Sequence, residues 1–180
     1  MNAIRRHCGL VAVLFFSLAV AACGDSERTE VGPDHIITVD GTKTLGQMVD
    51  AGHYDSINRS INATNFPIEN KGKRDKVMVL VSFNRDVSSE NAVDEMKARN
   101  LRPAVLDECL AYGAAIAKVY QDYGLGAPTG WIACLGQSTV VDGGRFVPEL
   151  WRDVFSNGML RLDLWFGVWP SGSHFLAVRN

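Results

Sequence analysis

The sequence predicts an α+β fold: two helices followed by a small antiparallel β-sheet, with a strand–helix–strand extension in front. Three observations carry that reading. Residues 77–83 (VMVLVSF) are almost continuously apolar, as in a strand buried on both faces. Two segments with apolar residues spaced three and four apart, 88–99 and 104–120, come next and read as helices. From Trp131 onward, short apolar runs alternate with turn residues, the pattern of strands joined by tight connections.

Taken in order, Ile36-Ile37-Thr38-Val39 is a β-rich run closed by Asp40-Gly41. Thr44 then offers an N-cap, Leu45, Met48 and Val49 an apolar face, and Gly52 a stop. His53-Tyr54-Asp55 reads as a surface turn, because one His and one Asp fall short of a metal's donor set. Phe66 and Ile68 pin the irregular stretch that follows to the core. After 77–83, Asn84-Arg85 turns the chain, and Ser88 or Ser89 caps a helix running to Arg99. Ala92, Val93 and Met96 form its buried stripe, and Asn100 ends it.

The second helix starts near Ala104 and buries Leu106, Cys109, Leu110, Gly113, Ile116, Ala117 and Tyr120. Gly124, Gly126 and Pro128 stop it. Strands are expected at 131–135, 145–150, 160–165 and 174–179, with turns at Asp142-Gly143-Gly144 and Pro170-Ser171-Gly172.

The N-terminus has the layout of an export signal: Arg5 and Arg6, an apolar run over 9–20, then small residues leading to Cys23. From Cys8 to Cys23 the run is shorter than the ~20 residues a bilayer crossing takes. Val20-Ala21-Ala22-Cys23 resembles the bacterial lipoprotein box, with Val where Leu is usual. The resemblance implies a signal peptide over 1–22, cleavage before Cys23 and lipid on its thiol. The protein would then be held in a bacterial cell envelope with its domain on the extracytoplasmic side. Two acyl chains give the stable attachment that one does not. Gly24, rather than Asp, after the cysteine implies the outer membrane over the inner one. Residues 23–34 are polar and read as a lipidated flexible tether, and 35–180 as a single globular α+β domain.

The second half carries another resemblance. Two helices followed by Trp131-Ile132-Ala133-Cys134-Leu135, with 174–179 as a closing apolar strand, look like a C-type-lectin-like domain over 92–180. Ala133 stands where that family has Gly. The family's calcium- and sugar-holding motifs are missing, so the resemblance implies a fold and no calcium site. It also admits a relative of the formylglycine-generating enzymes.

The formal net charge is −2, and loss of Arg5 and Arg6 with the leader makes it −4. An acidic domain without a Lys/Arg stripe is a poor partner for nucleic acid, which must be neutralised. Lys71, Lys73, Arg74 and Lys76 beside Gly72 read as a solvated loop. No phosphate-cradling loop, Gly-x-Ser-x-Gly elbow or zinc ligand set is present in the sequence, so no catalytic, cofactor or metal residue is assigned. Outside the cytosol, Cys109 and Cys134 are an even pair that could bridge, or two separate buried thiols. Trp151, Trp165 and Trp169, with Arg161 and Asp163 flanking Leu162, are the candidate ligand-binding side chains. Trp169, beside Pro170-Ser171-Gly172, is the one expected to be most exposed.

The expected function is a non-catalytic envelope lipoprotein that binds an extracytoplasmic ligand or an envelope protein. The alternative is a cell-envelope enzyme, a hydrolase or one resembling the formylglycine-generating enzymes.

Overall fold

In the computed structural model the described residues are 27–68, 72–123, 130–152 and 157–180. The expected signal peptide over 1–22, Cys23, Lys71, the expected stop residues Gly124, Gly126 and Pro128, and the Tyr120 side chain lie outside them. The chain order is β1 (Thr29–Val31), β2 (His35–Asp40), α1 (Leu45–Ala51), β3 (Ser56–Ile57), β4 (Lys73–Phe83), β5 (Val87–Ser88), α2 (Ser89–Ala98) and β6 (Leu101–Pro103). It continues with α3 (Leu106–Tyr123), β7 (Gly130–Ala133), β8 (Thr139–Val141), β9 (Gly144–Arg152), β10 (Gly158–Leu164), β11 (Val168–Trp169) and β12 (His174–Arg179).

The expected fold class is overturned. Among the described residues, ten strands form one mixed sheet, and β11 and β5 make a separate two-stranded ribbon. The described residues are mostly β, with three helices, rather than two helices followed by a small antiparallel sheet of the C-type-lectin-like kind. The sheet runs β1–β4–β12–β7–β9–β10–β3, with β2 on β4, β6 on β12 and β8 on β9. The physical reason is long-range pairing. Strand β4, which reads as an extension, pairs with the last strand: Val81 faces Phe175 and Met78 faces Val178. Strand β7 then joins β12 in parallel, which joins the two halves of the chain in one sheet.

Order also begins earlier than His35. β1 lies along β4 with Val31 opposite Val81, and the Gly32 N–H donates to the Leu80 carbonyl at 2.8 Å. The edge of β4 offers backbone partners that a tether over 23–34 would forgo, so the C-terminal part of that segment is strand.

Alternation along the central strands divides the core in two. Phe175 and Ala177 of β12, with Val79 and Val81 of β4, join Ala92 and Met96 of α2 on one face. Leu176, Val178 and Met78 join Leu45 and Met48 of α1 and Leu106 and Leu110 of α3 on the other. The helix ends follow their residues. Thr44 accepts the Gln47 N–H while the Gln47 side chain accepts the Thr44 N–H, a reciprocal cap, and Ser88 caps α2. Asn100 takes a φ of 57° and Asp142 of 48°, left-handed positions that Asn and Asp tolerate best among non-glycine residues. The surface turn at 53–55 is docked to the sheet, since the Asp55 carboxylate accepts the Gly158 N–H at 2.7 Å.

Candidate functional site

On the α2 side of the sheet, β7, β9 and β10 carry a group of large and charged side chains. The register places Trp131 of β7 opposite Trp151 of β9, and Trp151 opposite Met159 of β10. One pleat on, Ala133 faces Glu149, and Glu149 faces Arg161. Asp163 follows two residues later on the same face.

Arg161 ties these strands together. Its Nε donates to Glu149 Oε2 at 2.6 Å and its Nη2 to Asp163 Oδ2 at 3.1 Å. The guanidinium carbon lies 3.3 Å from the Trp131 ring centroid, a close cation–π stack. Trp151 tilts against Trp131 with 5.5 Å between centroids. Trp131 and Trp151 are half-buried, and the Arg161 and Asp163 side chains keep 40% and 38% of their surface. The result is a flat aromatic patch with guanidinium donors and a carboxylate acceptor at its rim.

Glu149 forms the floor of this patch and is 1% exposed. Burial pushes its carboxyl up to about 7, against the pull of Arg161 and with a small addition from Asp163. A carboxylate in the middle of β9, among Val147, Pro148 and Leu150, is the signal in the sequence that could have found it.

The five candidates divide. Trp151, Arg161 and Asp163 come together here, joined by Trp131 and Glu149, which sequence reasoning had not assigned to a ligand. Trp165 and Trp169 do not join them. Each is only 6% exposed, which overturns the expectation that Trp169 is the exposed aromatic. The Trp169 Nε1–H donates to Ser89 Oγ at 2.9 Å, and its ring meets Phe175 edge to face. Ser89 Oγ donates in turn to the Trp165 carbonyl at 2.7 Å, and the Trp165 indole N–H reaches Glu90. Arg145 covers the Trp165 ring at 3.7 Å. The two indoles lock the first turn of α2 to the sheet. Phe166 and Val168, beside them in sequence, are the exposed ones, at 75% and 69%.

Cys109 of α3 and Cys134, just after β7, are disulfide-bonded. Among the described residues no three His, Cys, Asp or Glu side chains gather as a metal site. No helix among them is long and apolar enough to cross a membrane. Comparison with known proteins adds no relative: no protein family, curated protein or solved structure matches the chain.

Proposed function

We propose that this protein is a bacterial envelope lipoprotein, anchored through lipid on Cys23, that binds an extracytoplasmic ligand on the Trp131–Trp151–Arg161 face. The observation that carries the binding reading is the stack of Arg161 on Trp131, held by a buried carboxylate beneath and an exposed one beside it. A platform fixed in this way loses little side-chain freedom on binding, so more of the contact energy appears as affinity. Its chemistry suits a ligand with a flat apolar face and hydroxyl or amide groups around it, as in the sugar rings of envelope glycans. The lipobox-like residues support the location.

The alternative, a cell-envelope hydrolase, draws on Glu149, which holds a proton near neutrality close to a second carboxylate. At 1% exposure and engaged by Arg161, Glu149 does not reach a substrate on the open face, which puts binding ahead of catalysis. The formylglycine-generating alternative depended on the lectin-like fold and is not retained.

The test titrates the full chain in detergent with soluble peptidoglycan fragments and neutral oligosaccharides, read by tryptophan fluorescence. Saturable binding is expected, weakened roughly tenfold or more by Trp131→Ala. A flat response to every glycan, or a Trp131→Ala protein that binds as the wild type does, would overturn it.

A further inference from the structure

Among the described residues, strand β2 has an open side. The Gly41 N–H donates to the Gly72 carbonyl at 2.8 Å, one step beyond the β2–β4 ladder and in its register. Bonded pairs alternate in an antiparallel ladder, so Val39–Arg74, Ile37–Lys76 and His35–Met78 are the bonded ones. The backbone N–H and C=O groups of Ile36 and Thr38 therefore point away from β4. Among the described residues β2 pairs with no other strand. The edge (HIITVD) carries no Lys or Pro, residues that usually discourage pairing there, and its charges, Asp40 and the nearby Lys43, stand at its C-terminal end. Ile36 leaves 76% of its surface in the open.

A cleft of about 330 Å³ runs beside this edge, walled by α3 and closed by Met48 and Ala51 of α1. Leu110, Ala111, Ala114 and Ala115 lie three and four apart, so they form one stripe along α3 facing the cleft. Alanines there leave the room that the side chains of a further strand would need, about 4.8 Å out from β2.

The stripe begins at Asp107, which is only 3% exposed and lines the same cleft. Its Oδ2 accepts from Arg74 Nη2 at 2.6 Å, but its Oδ1 has no hydrogen-bond partner, and neither does Arg74 Nη1. A buried carboxylate oxygen without a donor is costly, so a donor arriving in the cleft is favoured. Arg74 already balances the charge, so a neutral hydroxyl or amide suffices.

We propose that the β2 edge and the alanine stripe of α3 receive an extended peptide segment from a partner protein. The segment adds as a strand and places a Ser, Thr, Asn or Gln side chain at Asp107. Backbone groups in the edge supply affinity, and the cleft selects side chains on one face of the incoming strand. An apolar residue on its other face covers Ile36. This site lies on the other face of the sheet from Trp131, with β4 and β12 between β2 and β7, and does not rest on the ligand reading there.

The test pans a phage-displayed random heptapeptide library against the full chain in detergent, then measures a selected synthetic peptide by fluorescence anisotropy. Alternating apolar residues around a hydroxyl or amide residue are expected. Thr38→Pro removes an N–H that points away from β4, so it keeps the backbone ladder while losing the Thr38 Oγ1 to Asp75 Oδ1 hydrogen bond of 2.6 Å, and it weakens the peptide at least tenfold. Ala114→Leu fills the cleft on a helix that accepts leucine, and it has the same effect even if Thr38→Pro lowers the melting temperature. Trp131→Ala leaves peptide binding unchanged. No enrichment from the library, or peptide affinity untouched by Ala114→Leu, would overturn the proposal. A wild-type dimer in sedimentation that Thr38→Pro and Ala114→Leu dissociate would also overturn it, by assigning the edge to a second copy.

Discussion

Glu108 and Glu149 are each 1% exposed, yet burial leaves them with opposite proton affinities. Burial raises both, but Glu108 receives two guanidinium N–H groups from Arg102, at 2.8 and 2.6 Å, and the Val105 N–H at 3.1 Å. These hold its carboxyl below the ordinary range. Glu149 has the single Arg161 Nε and rises to about 7 from 4.5. Between those values the folded state binds a proton that the unfolded chain has lost, so this group's stabilisation is full below about 4.5 and fades as pH rises toward 7. The full effect is on the order of 3 kcal/mol. Glu149→Gln is expected to flatten the fall in stability between pH 5 and 7.5, measured by urea unfolding, and an unchanged slope would contradict the assignment. Neither carboxylate's fate was legible in the sequence, because it depends on how many donors the fold delivers. The same holds for Trp169, whose neighbours Pro170-Ser171-Gly172 signal a turn while its own ring points under α2.

Helices α1 and α2 were legible because their signals are local. Thr44, Gln47 and Gly52 lie within one short segment and satisfy each other's backbone, as do Ser88 and Asn91. Strand β12 was legible for the same reason, with its run bounded by a turn at Gly172. Sequence spacing alone left the Cys109–Cys134 pairing open, and burial was consistent with either outcome. In the fold, α3 lies across the sheet with Cys109 over the end of β7, and the Cα atoms are 6.3 Å apart. The bridge closes a separation of 25 residues, worth about 3 kcal/mol in the chain-entropy account. Reduction, or Cys109→Ser with Cys134→Ser, is expected to lower the melting temperature by roughly 10 °C in calorimetry. A shift of under about 2 °C would show that the bridge constrains little.

Over the whole molecule, β4 and β12 contribute alternate residues to both core clusters, so neither face can loosen without disturbing the other. The chain is expected to unfold in one transition, with far-UV circular dichroism and tryptophan fluorescence superimposing in urea. The four tryptophans report the α2 face, whereas far-UV circular dichroism also reports α1 and α3 on the other face, so two separated transitions would refute this coupling. By itself the sequence determined the three helices and the longer strands, where α1 and α2 are capped, and that Trp151, Arg161 and Asp163 merit attention; it missed the short strands β1, β3, β5, β6, β8 and β11 and took Lys73, Arg74 and Lys76 of β4 for a loop. It also carried the export and lipobox-like pattern at Cys23. Only the tertiary structure decided that β4 pairs with β12, that one mixed sheet replaces a small antiparallel one, and that Trp131 and Glu149 complete the candidate face. The physical reason is range. Caps and periodicity act over three or four residues, whereas strand partners are chosen by the burial of both faces at once, between segments nearly a hundred residues apart.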